Sequence, residues 1–124
     1  MSTPTHSIEV NALDEQLNKQ ILSGDVLPAF ERFYADDVVM QENSDEPRVG
    51  KDVNRKVEQE FLSSVEQFHG AKLLGSAANQ DISYSEWEYD MTFKGGKRMK
   101  MNQVAARRWS NGKVVHERFY YNKG

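Results

Sequence analysis

The sequence predicts an α+β domain in which three helices precede a mostly antiparallel sheet and pack on one face of it. Two observations support this prediction. Up to about residue 65, the apolar residues recur every three or four positions, as in amphipathic helices. Beyond Phe68, strand-like runs alternate with turn residues instead. Because helices and strands do not alternate along the chain, the order favours α+β over α/β architecture.

The first two helices are predicted from an apolar stripe and a capping residue. The stripe residues share one helix face and are Val10, Leu13, Leu17 and Ile21. Ser23-Gly24 ends this helix. Asp25 can then cap a second helix, which tolerates Pro28 in its first turn. Aromatic residues near the end of the second helix are expected to be buried, namely Phe30, Phe33 and Tyr34.

A short strand, a third helix and a four-stranded meander complete the domain. The strand covers Val38 to Met40, and the helix runs from about Gly50 to Val65 with its polar face outward. The apolar residues of this helix recur every four positions, at Val53, Val57, Phe61 and Val65. The strands of the meander are Ala71 to Ala78, Ile82 to Phe93, Arg98 to Trp109 and Val114 to Tyr121.

Two turns predict the register of the last three strands. Gly95-Gly96 and Asn111-Gly112 both suit two-residue hairpin loops. Such loops place Val104 opposite both Trp87 and Phe119. The inner face, which lies under the helices, should then carry Trp87, Tyr89, Met91, Asn102, Val104, Ala106, Val115, Glu117, Phe119 and Tyr121.

The predicted outer face of the same strands is charged. Acidic residues on one strand lie opposite basic residues on the next two. Its members are Glu86, Glu88, Asp90, Gln103, Arg107, His116, Arg118 and Tyr120. Because Tyr84, Met99 and Met101 lie among these charges, this face is either solvated or the interface of a homodimer. A β-bulge would shift the register by one residue and exchange the two faces locally.

Composition restricts the context and the kinds of site. A chain of 124 residues suits one domain, assigned here to residues 8–124 behind a flexible tail, residues 1–7. The absence of cysteine excludes disulfides and suits a reducing compartment, so a cytoplasmic location is expected. With 16 basic and 19 acidic residues, neither a nucleic-acid nor a membrane partner is expected. No metal-binding, phosphate-loop or nucleophile-elbow motif occurs, so neither a metal nor a cofactor is expected.

Glu117 is the candidate catalytic residue that the predicted register singles out. Its inner-face position places a carboxylate among aromatic side chains. Such a group either finds a partner, for example Arg108 or a helix backbone group, or has its pKa raised as a general acid or base requires. Aromatic and amide groups on the same face suit the walls of a pocket for a small hydrophobic molecule. These candidate ligand-binding residues are Tyr34, Trp87, Tyr89, Asn102, Phe119 and Tyr121.

Three segments also carry a resemblance to known proteins, namely SGDVLPAFERFYADDVVMQ, EPRVGKDVNRKVEQEF and WSNGKVVHERFYYN. They resemble the nuclear transport factor 2-like superfamily, in particular its SnoaL-like and ketosteroid-isomerase-like members. The resemblance implies a cone-shaped, cystatin-like α+β roll, in which a curved sheet is closed by three helices around a pocket. This scaffold hosts isomerases, dehydratases, cyclases, hydrolases and non-catalytic binders, so it does not determine the reaction.

The resemblance implies Glu42 as a second candidate catalytic residue. In ketosteroid-isomerase-like proteins, the general base follows the strand that Ala35-Asp36-Asp37 begins here, and Glu42 stands at the matching position. The family's oxyanion donors do not match, since Leu17 replaces the tyrosine and Ala105 or Ala106 replaces the neutral acid. Phe119 likewise stands where limonene-epoxide-hydrolase-like members have an aspartate.

Two functions follow from these observations. The first is a small-molecule-binding protein with a hydrophobic pocket and no complete family set of catalytic residues. The second is a cofactor-independent isomerase, cyclase or dehydratase that acts on a hydrophobic carbonyl compound, with Glu42 or Glu117 as general acid or base. The missing donors favour the first function. A donor such as Tyr34, Asn102 or Tyr121 close to a carboxylate would favour the second.

Overall fold

Three helices pack against one six-stranded, mostly antiparallel sheet in the computed structural model, which describes residues 3–123 and the side chains of residues 8–123. The predicted α+β class is confirmed. The helices are α1 (Thr3–Leu22), α2 (Val26–Phe33) and α3 (Lys51–Ser64). The strands are β1 (Tyr34–Glu42), β2 (Arg48–Val49), β3 (Val65–Asn79), β4 (Ile82–Phe93), β5 (Arg98–Ser110) and β6 (Lys113–Tyr121).

The N-terminal tail predicted for residues 1–7 stays a prediction. Residues 1 and 2 lie outside the described part of the chain, and α1 begins at Thr3. No described helix combines the length and the apolar character that a membrane crossing requires.

The sheet has the order β2-β1-β6-β5-β4-β3. β1 runs parallel to β6, and the other neighbouring strands are antiparallel. The sequence predicted only the middle of β1 and missed the short strand β2. The parallel pairing matters for the site because it sets Met40 beside Glu117 and Glu42 beside Phe119. Residues of distant segments therefore share one edge of the inner face.

The helices present their predicted apolar faces to the sheet, with one exception. Val10 and Leu17 of α1 and Phe30 and Phe33 of α2 are buried as expected. Asp25 occupies the N-cap position of α2, but its side chain accepts no capping hydrogen bond from the helix backbone. Its carboxylate instead accepts a hydrogen bond from Gln20 Nε2 at 2.8 Å.

The exception is α3, whose predicted apolar face is displaced. Val53 is 50% exposed, whereas Asn54 is 1% exposed. The Asn54 amide donates to the backbone oxygens of Arg48 and Gly50 at 3.0 and 2.8 Å and accepts from Arg48 Nε at 3.0 Å. A buried amide with all these partners fixes α3 to the segment that contains β2.

The β4–β5 hairpin lies one residue out of the predicted register. Trp87 pairs with Gln103 rather than Val104. The N–H of Phe93 donates to the oxygen of Lys97 at 2.8 Å, so residues 94–96 form a three-residue loop with both glycines at positive φ. Because side chains alternate along a strand, this single residue moves every β5 side chain to the other face. Asn102, Val104 and Ala106 therefore lie on the outer face, and Met101, Gln103, Ala105 and Arg107 on the inner face.

The β5–β6 hairpin closes as predicted between Ser110 and Lys113, but a β-bulge follows. Trp109 pairs with Val114, whereas Arg108 pairs with His116, so Val115 is the extra residue. The bulge shifts the register by one residue and reverses the effect of the first hairpin. Glu117, Phe119 and Tyr121 consequently lie on the inner face as predicted, and Val114 is buried in the place expected for Val115.

The outer face consequently differs from its prediction. Gln103 and Arg107 do not belong to it, and neither does Met101, because all three line the inner face. Tyr84 and Tyr120 do lie outward and are 45% and 44% exposed. The use of this face as a homodimer interface stays a prediction.

Candidate functional site

A cavity of about 590 Å³ lies between the helices and the inner face of the sheet. Its volume falls within the range of about 300–1,000 Å³ that is usual for small-molecule sites. All three helices contribute to its walls, and the aromatic side chains of Phe30, Phe61 and Trp87 are among them. Both candidate catalytic residues, Glu42 and Glu117, line it. Five of the six candidate ligand-binding residues also line it, namely Tyr34, Trp87, Tyr89, Phe119 and Tyr121.

Asn102 is the candidate ligand-binding residue that does not reach the cavity. It is exposed on the outer face because the loop of residues 94–96 is one residue longer than predicted. Its expected role as a polar wall residue is therefore wrong. The inner-face position next to it is occupied by Gln103.

Arg107 lies at the centre of a buried polar network, which we call the Arg107 network. The side chain is 2% exposed. Its Nε donates to Glu117 Oε2 at 2.7 Å, and its Nη1 donates to Asp14 Oδ1 and Asn18 Oδ1, both at 2.7 Å. A guanidinium has several donors in a fixed geometry, so it can hydrogen-bond two carboxylates and an amide oxygen at once. The network consists of Arg107, Asp14, Asn18, Glu117 and Tyr34.

Tyr34 completes the network on the side of Glu117. Its hydroxyl donates to Glu117 Oε1 at 2.6 Å. Burial and then the charge of Glu117 raise the pKa of Tyr34 well above its usual value, so the phenol stays protonated. Both carboxylate oxygens of Glu117 are thus hydrogen-bonded. The expected inner-face position of Glu117 is confirmed, but its partner is Arg107 rather than Arg108.

Serine side chains of β4 extend the network towards α1. Ser83 Oγ donates to Asp14 Oδ1 at 2.7 Å, and Asn18 Nδ2 donates to Ser85 Oγ at 3.1 Å. Trp109 Nε1 in turn donates to Ser83 Oγ at 2.9 Å. The polar groups in this part of the interior are therefore well supplied with partners, which makes the arrangement rigid.

Sequence reasoning missed the Arg107 network because the register error placed Arg107 on the outer face. A signal was nevertheless present in α1. Asp14 and Asn18 lie four and eight residues after Val10, so they belong to the stripe that faces the sheet. Polar residues within a buried stripe require polar partners on the element that covers them. That requirement predicts an inward-facing cation or donor on β4 or β5.

Glu42 lies at a more accessible part of the cavity wall. Its side chain is 25% exposed and pairs with Arg48 Nη1 at 2.8 Å. The hydroxyl of Tyr121 also approaches Glu42 Oε1 at 3.4 Å. Burial, followed by the charge of Glu42, raises the pKa of Tyr121 above its usual value. Glu42 is thus an ion-paired carboxylate with one weak phenol donor.

Glu58 of α3 is a cavity-lining carboxyl that sequence reasoning missed. It lies one turn after the buried Asn54, on the cavity side of the helix. The residue is half-buried and borders the open cavity. Burial, and then the charges of Glu117 and Glu42, raise the pKa of Glu58 to about 7. Among the described side chains, none donates a hydrogen bond to it.

Tyr89 faces the same cavity and is neutral for a similar reason. Its ring stacks on Trp87 with centroids 5.5 Å apart. Burial raises the pKa of Tyr89, and the charges of Glu117 and Glu58 add to this effect. The cavity therefore offers a protonated phenol and a carboxyl that titrates near neutral pH. Within the described part of the chain, no cluster of three or more His, Asp or Glu residues could hold a metal ion.

Comparisons with known proteins agree with this fold. The model of the SnoaL-like domain family matches residues 25–121. A Mesorhizobium loti structure assigned as a SnoaL-like polyketide cyclase [carbohydrate phosphatase] is 28% identical, with a TM-score of 0.81 over 90% of this chain and 98% of that chain. A search of curated proteins found no match.

Two more distant structures share the fold. A Jannaschia sp. CCS1 protein assigned as a SnoaL-like polyketide cyclase is 9% identical, with a TM-score of 0.80 over 94% of this chain and 88% of that chain. An LEH-like epoxide hydrolase of M. tuberculosis is 14% identical, with a TM-score of 0.75 over 94% of this chain and 84% of that chain. Their assigned reactions differ, so the shared scaffold does not by itself assign a reaction to this chain.

Proposed function

This chain belongs to the SnoaL-like domain family, and from that premise we propose that it binds a small, mainly apolar molecule in its cavity. The observation that carries the proposal is the open space of about 590 Å³. Large side chains such as Trp87, Phe61 and Phe119 could have filled this space, but they form its walls. The assignment of the similar Mesorhizobium loti protein as a polyketide cyclase is compatible with such a ligand.

Two neighbouring alanines of β5 allow this proposal to be tested. Ala105 lines the cavity and is 1% exposed, whereas Ala106 lies on the outer face. The probe is the neutral dye N-phenyl-1-naphthylamine, whose fluorescence rises in an apolar site. We expect saturable binding to the wild type and to Ala106→Leu. Ala105→Leu should weaken binding at least tenfold, because the larger side chain occupies cavity space. The proposal is wrong if the wild type does not bind the dye or if both variants bind it equally well.

A second candidate function is cofactor-independent proton transfer on a hydrophobic carbonyl compound. The carboxyl of Glu58 supports it, because a pKa of about 7 suits a general base at neutral pH. Glu42 and Glu117 remain candidates for this role, although Arg48 and Arg107 respectively hold them in ion pairs. Proton removal next to a carbonyl group would leave an enolate, to which the protonated hydroxyl of Tyr89 could donate.

Exchange of the α-protons of 2-tetralone for deuterium, followed by NMR, tests this second function. We expect exchange faster than in buffer alone, with a rate that rises through about pH 7 as Glu58 ionises. Glu58→Gln should abolish the acceleration, whereas Glu42→Gln should retain most of it. An acceleration that survives Glu58→Gln but disappears in folded Glu117→Gln would transfer the role to Glu117. No acceleration in the wild type would reject the function for this ketone class.

A further inference from the structure

The charges around the cavity are unbalanced. Its lining includes four glutamates and two arginines, namely Glu42, Glu58, Glu66, Glu117, Arg48 and Arg107. Both arginines are already paired, Arg48 with Glu42 and Arg107 with Asp14 and Glu117. An anionic ligand would therefore meet a surplus of carboxylates and no unpaired cation among the described lining residues.

Glu58 differs from the other lining carboxyls in its surroundings. Glu42 and Glu117 have arginine partners, and Glu66 is exposed to solvent. Glu58 is half-buried on the cavity wall, and no described side chain donates to it. A carboxyl that borders an open cavity and has no protein donor can accept hydrogen bonds from water or from a ligand.

Aromatic groups lie within electrostatic reach of Glu58. Glu58, Tyr34 and Tyr89 all line the cavity, and the charge of Glu58 contributes to the raised pKa values of both tyrosines. The Tyr89 ring also stacks on Trp87. The faces of aromatic rings attract organic cations within about 6 Å. The region thus combines one unpartnered carboxyl with aromatic walls.

We propose that the cavity selects ligands with a basic nitrogen, whose protonated form pairs with Glu58 while the apolar part of the molecule contacts the aromatic walls. The inference rests on the proposed binding function and specifies the ligand class. A protonated amine supplies the missing hydrogen-bond donor and offsets the surplus negative charge. A neutral acceptor would engage only the protonated form of Glu58 and would leave that surplus in place.

The test compares ligands that share a skeleton and differ only in the polar group. The probes are 4-phenylbutylamine, 4-phenylbutanol and 4-phenylbutyrate, together with the amine, alcohol and carboxylate of a naphthylethyl skeleton in case one skeleton fits poorly. Affinities are measured at pH 8 by isothermal titration calorimetry for the wild type, Glu58→Gln and Glu60→Gln. Glu60 is an exposed residue of the same helix, so its variant controls for the change in net charge.

We expect at least one amine to bind the wild type tenfold or more tightly than the matching alcohol, and the carboxylates to bind most weakly. Glu58→Gln should reduce the advantage of the amine to within twofold, while the affinity for the alcohol changes little. Glu60→Gln should behave like the wild type. Retention of the amine preference in Glu58→Gln would overturn the assignment to this carboxyl.

Two other outcomes separate this inference from the proposed function. If an alcohol or N-phenyl-1-naphthylamine binds in the cavity and no amine binds more tightly than its alcohol, the inference is wrong and the binding function stands. If neither the dye nor any of the six probes binds, both are rejected.

Discussion

The Arg107 network and Glu58 are two polar regions of one cavity, and they differ in how completely their groups are satisfied. Arg107, Asp14 and Glu117 are each at most 2% exposed, and each has a partner of opposite charge at 2.7 Å. Glu58 is more accessible, yet no described side chain donates to it. The comparison teaches that a structural charge in this cavity is both buried and paired, whereas a charge available to a ligand is partly accessible and lacks a protein donor.

Replacement of Arg107, the central cation of the Arg107 network, should give the largest effect on stability. It tests whether the network is structural. Arg107→Met leaves two carboxylates buried without their guanidinium, so we expect a loss of about 3–5 kcal/mol in the free energy of unfolding. Urea denaturation followed by tryptophan fluorescence measures it. Arg108→Met, on the outer face of the same strand, should change stability by less than about 0.5 kcal/mol. Similar values for the two variants would contradict a structural role for the network.

Glu58→Gln should have an intermediate effect on stability that depends on pH. It tests whether the Glu58 carboxyl carries an unfavourable charge in the folded protein. The folded-state pKa of Glu58 is about 7, against a usual value of 4.5. The folded protein therefore holds this proton more tightly than the unfolded chain does. The contribution of the Glu58 carboxyl to the free energy of unfolding consequently declines as pH rises from about 4.5 to 7. Glutamine cannot ionise. The variant should thus be more stable than the wild type at pH 8. We expect a difference of about 2 kcal/mol, which allows for the partial access of this carboxyl to solvent in the open cavity.

The measurement is urea denaturation of both proteins at pH 5 and pH 8. At pH 5 the difference between them should be several times smaller than at pH 8, because most of the wild-type carboxyl is then protonated in the folded state. Glu60→Gln serves as the control and should follow the wild type at both pH values. A stabilisation that does not depend on pH would show that the carboxyl charge is not its source.

Glu42→Gln should give the smallest effect on stability, because the ion pair of Glu42 is partly exposed to solvent. Its ion pair with Arg48 is close, but the two side chains are 25% and 24% exposed. Partly exposed pairs typically contribute about 0–1 kcal/mol and weaken as salt is added. We expect a loss below about 1 kcal/mol at low ionic strength that becomes smaller in about 0.5 M salt. A loss of more than about 2 kcal/mol at either salt concentration would place Glu42 with the structural charges.

Periodicity predicted most of the elements, although β3 begins six residues before the predicted Ala71, and it predicted the faces of the strands less well. The bounds of β4 were predicted correctly, and those of β5 and β6 to within one residue. Turn chemistry could not fix the β4–β5 register, because Gly95-Gly96 suits a two-residue loop and also the last two positions of a three-residue loop. The bulge at Val115 has no clear signature in the sequence. It compensates for the first error, so the inner face of β6 was predicted correctly for an incomplete reason.

The residues of the site were predicted correctly only where their placement did not depend on the register of β5 alone. Tyr34 was placed on the cavity wall by the aromatic pattern of α2, which does not depend on β5, whereas Tyr121 reached the correct face through two compensating register errors. Arg107 depended entirely on the register of that strand. Glu58 lies outside the apolar positions predicted for α3, and only the displaced orientation of this helix, with Asn54 buried, brings it to the cavity. Helix rotation of this kind depends on tertiary packing, which a periodic pattern predicts only approximately.

The bulge at Val115 makes one wall of the cavity depend on chain length as much as on residue identity. Deleting a single residue there would turn Glu117, Phe119 and Tyr121 towards solvent and bring His116, Arg118 and Tyr120 inside. One wall would then change from an acid with aromatic neighbours to a strongly basic surface without any substitution. For proteins built on this scaffold, the gain or loss of one codon in the last hairpin is thus a short evolutionary route to a different ligand chemistry.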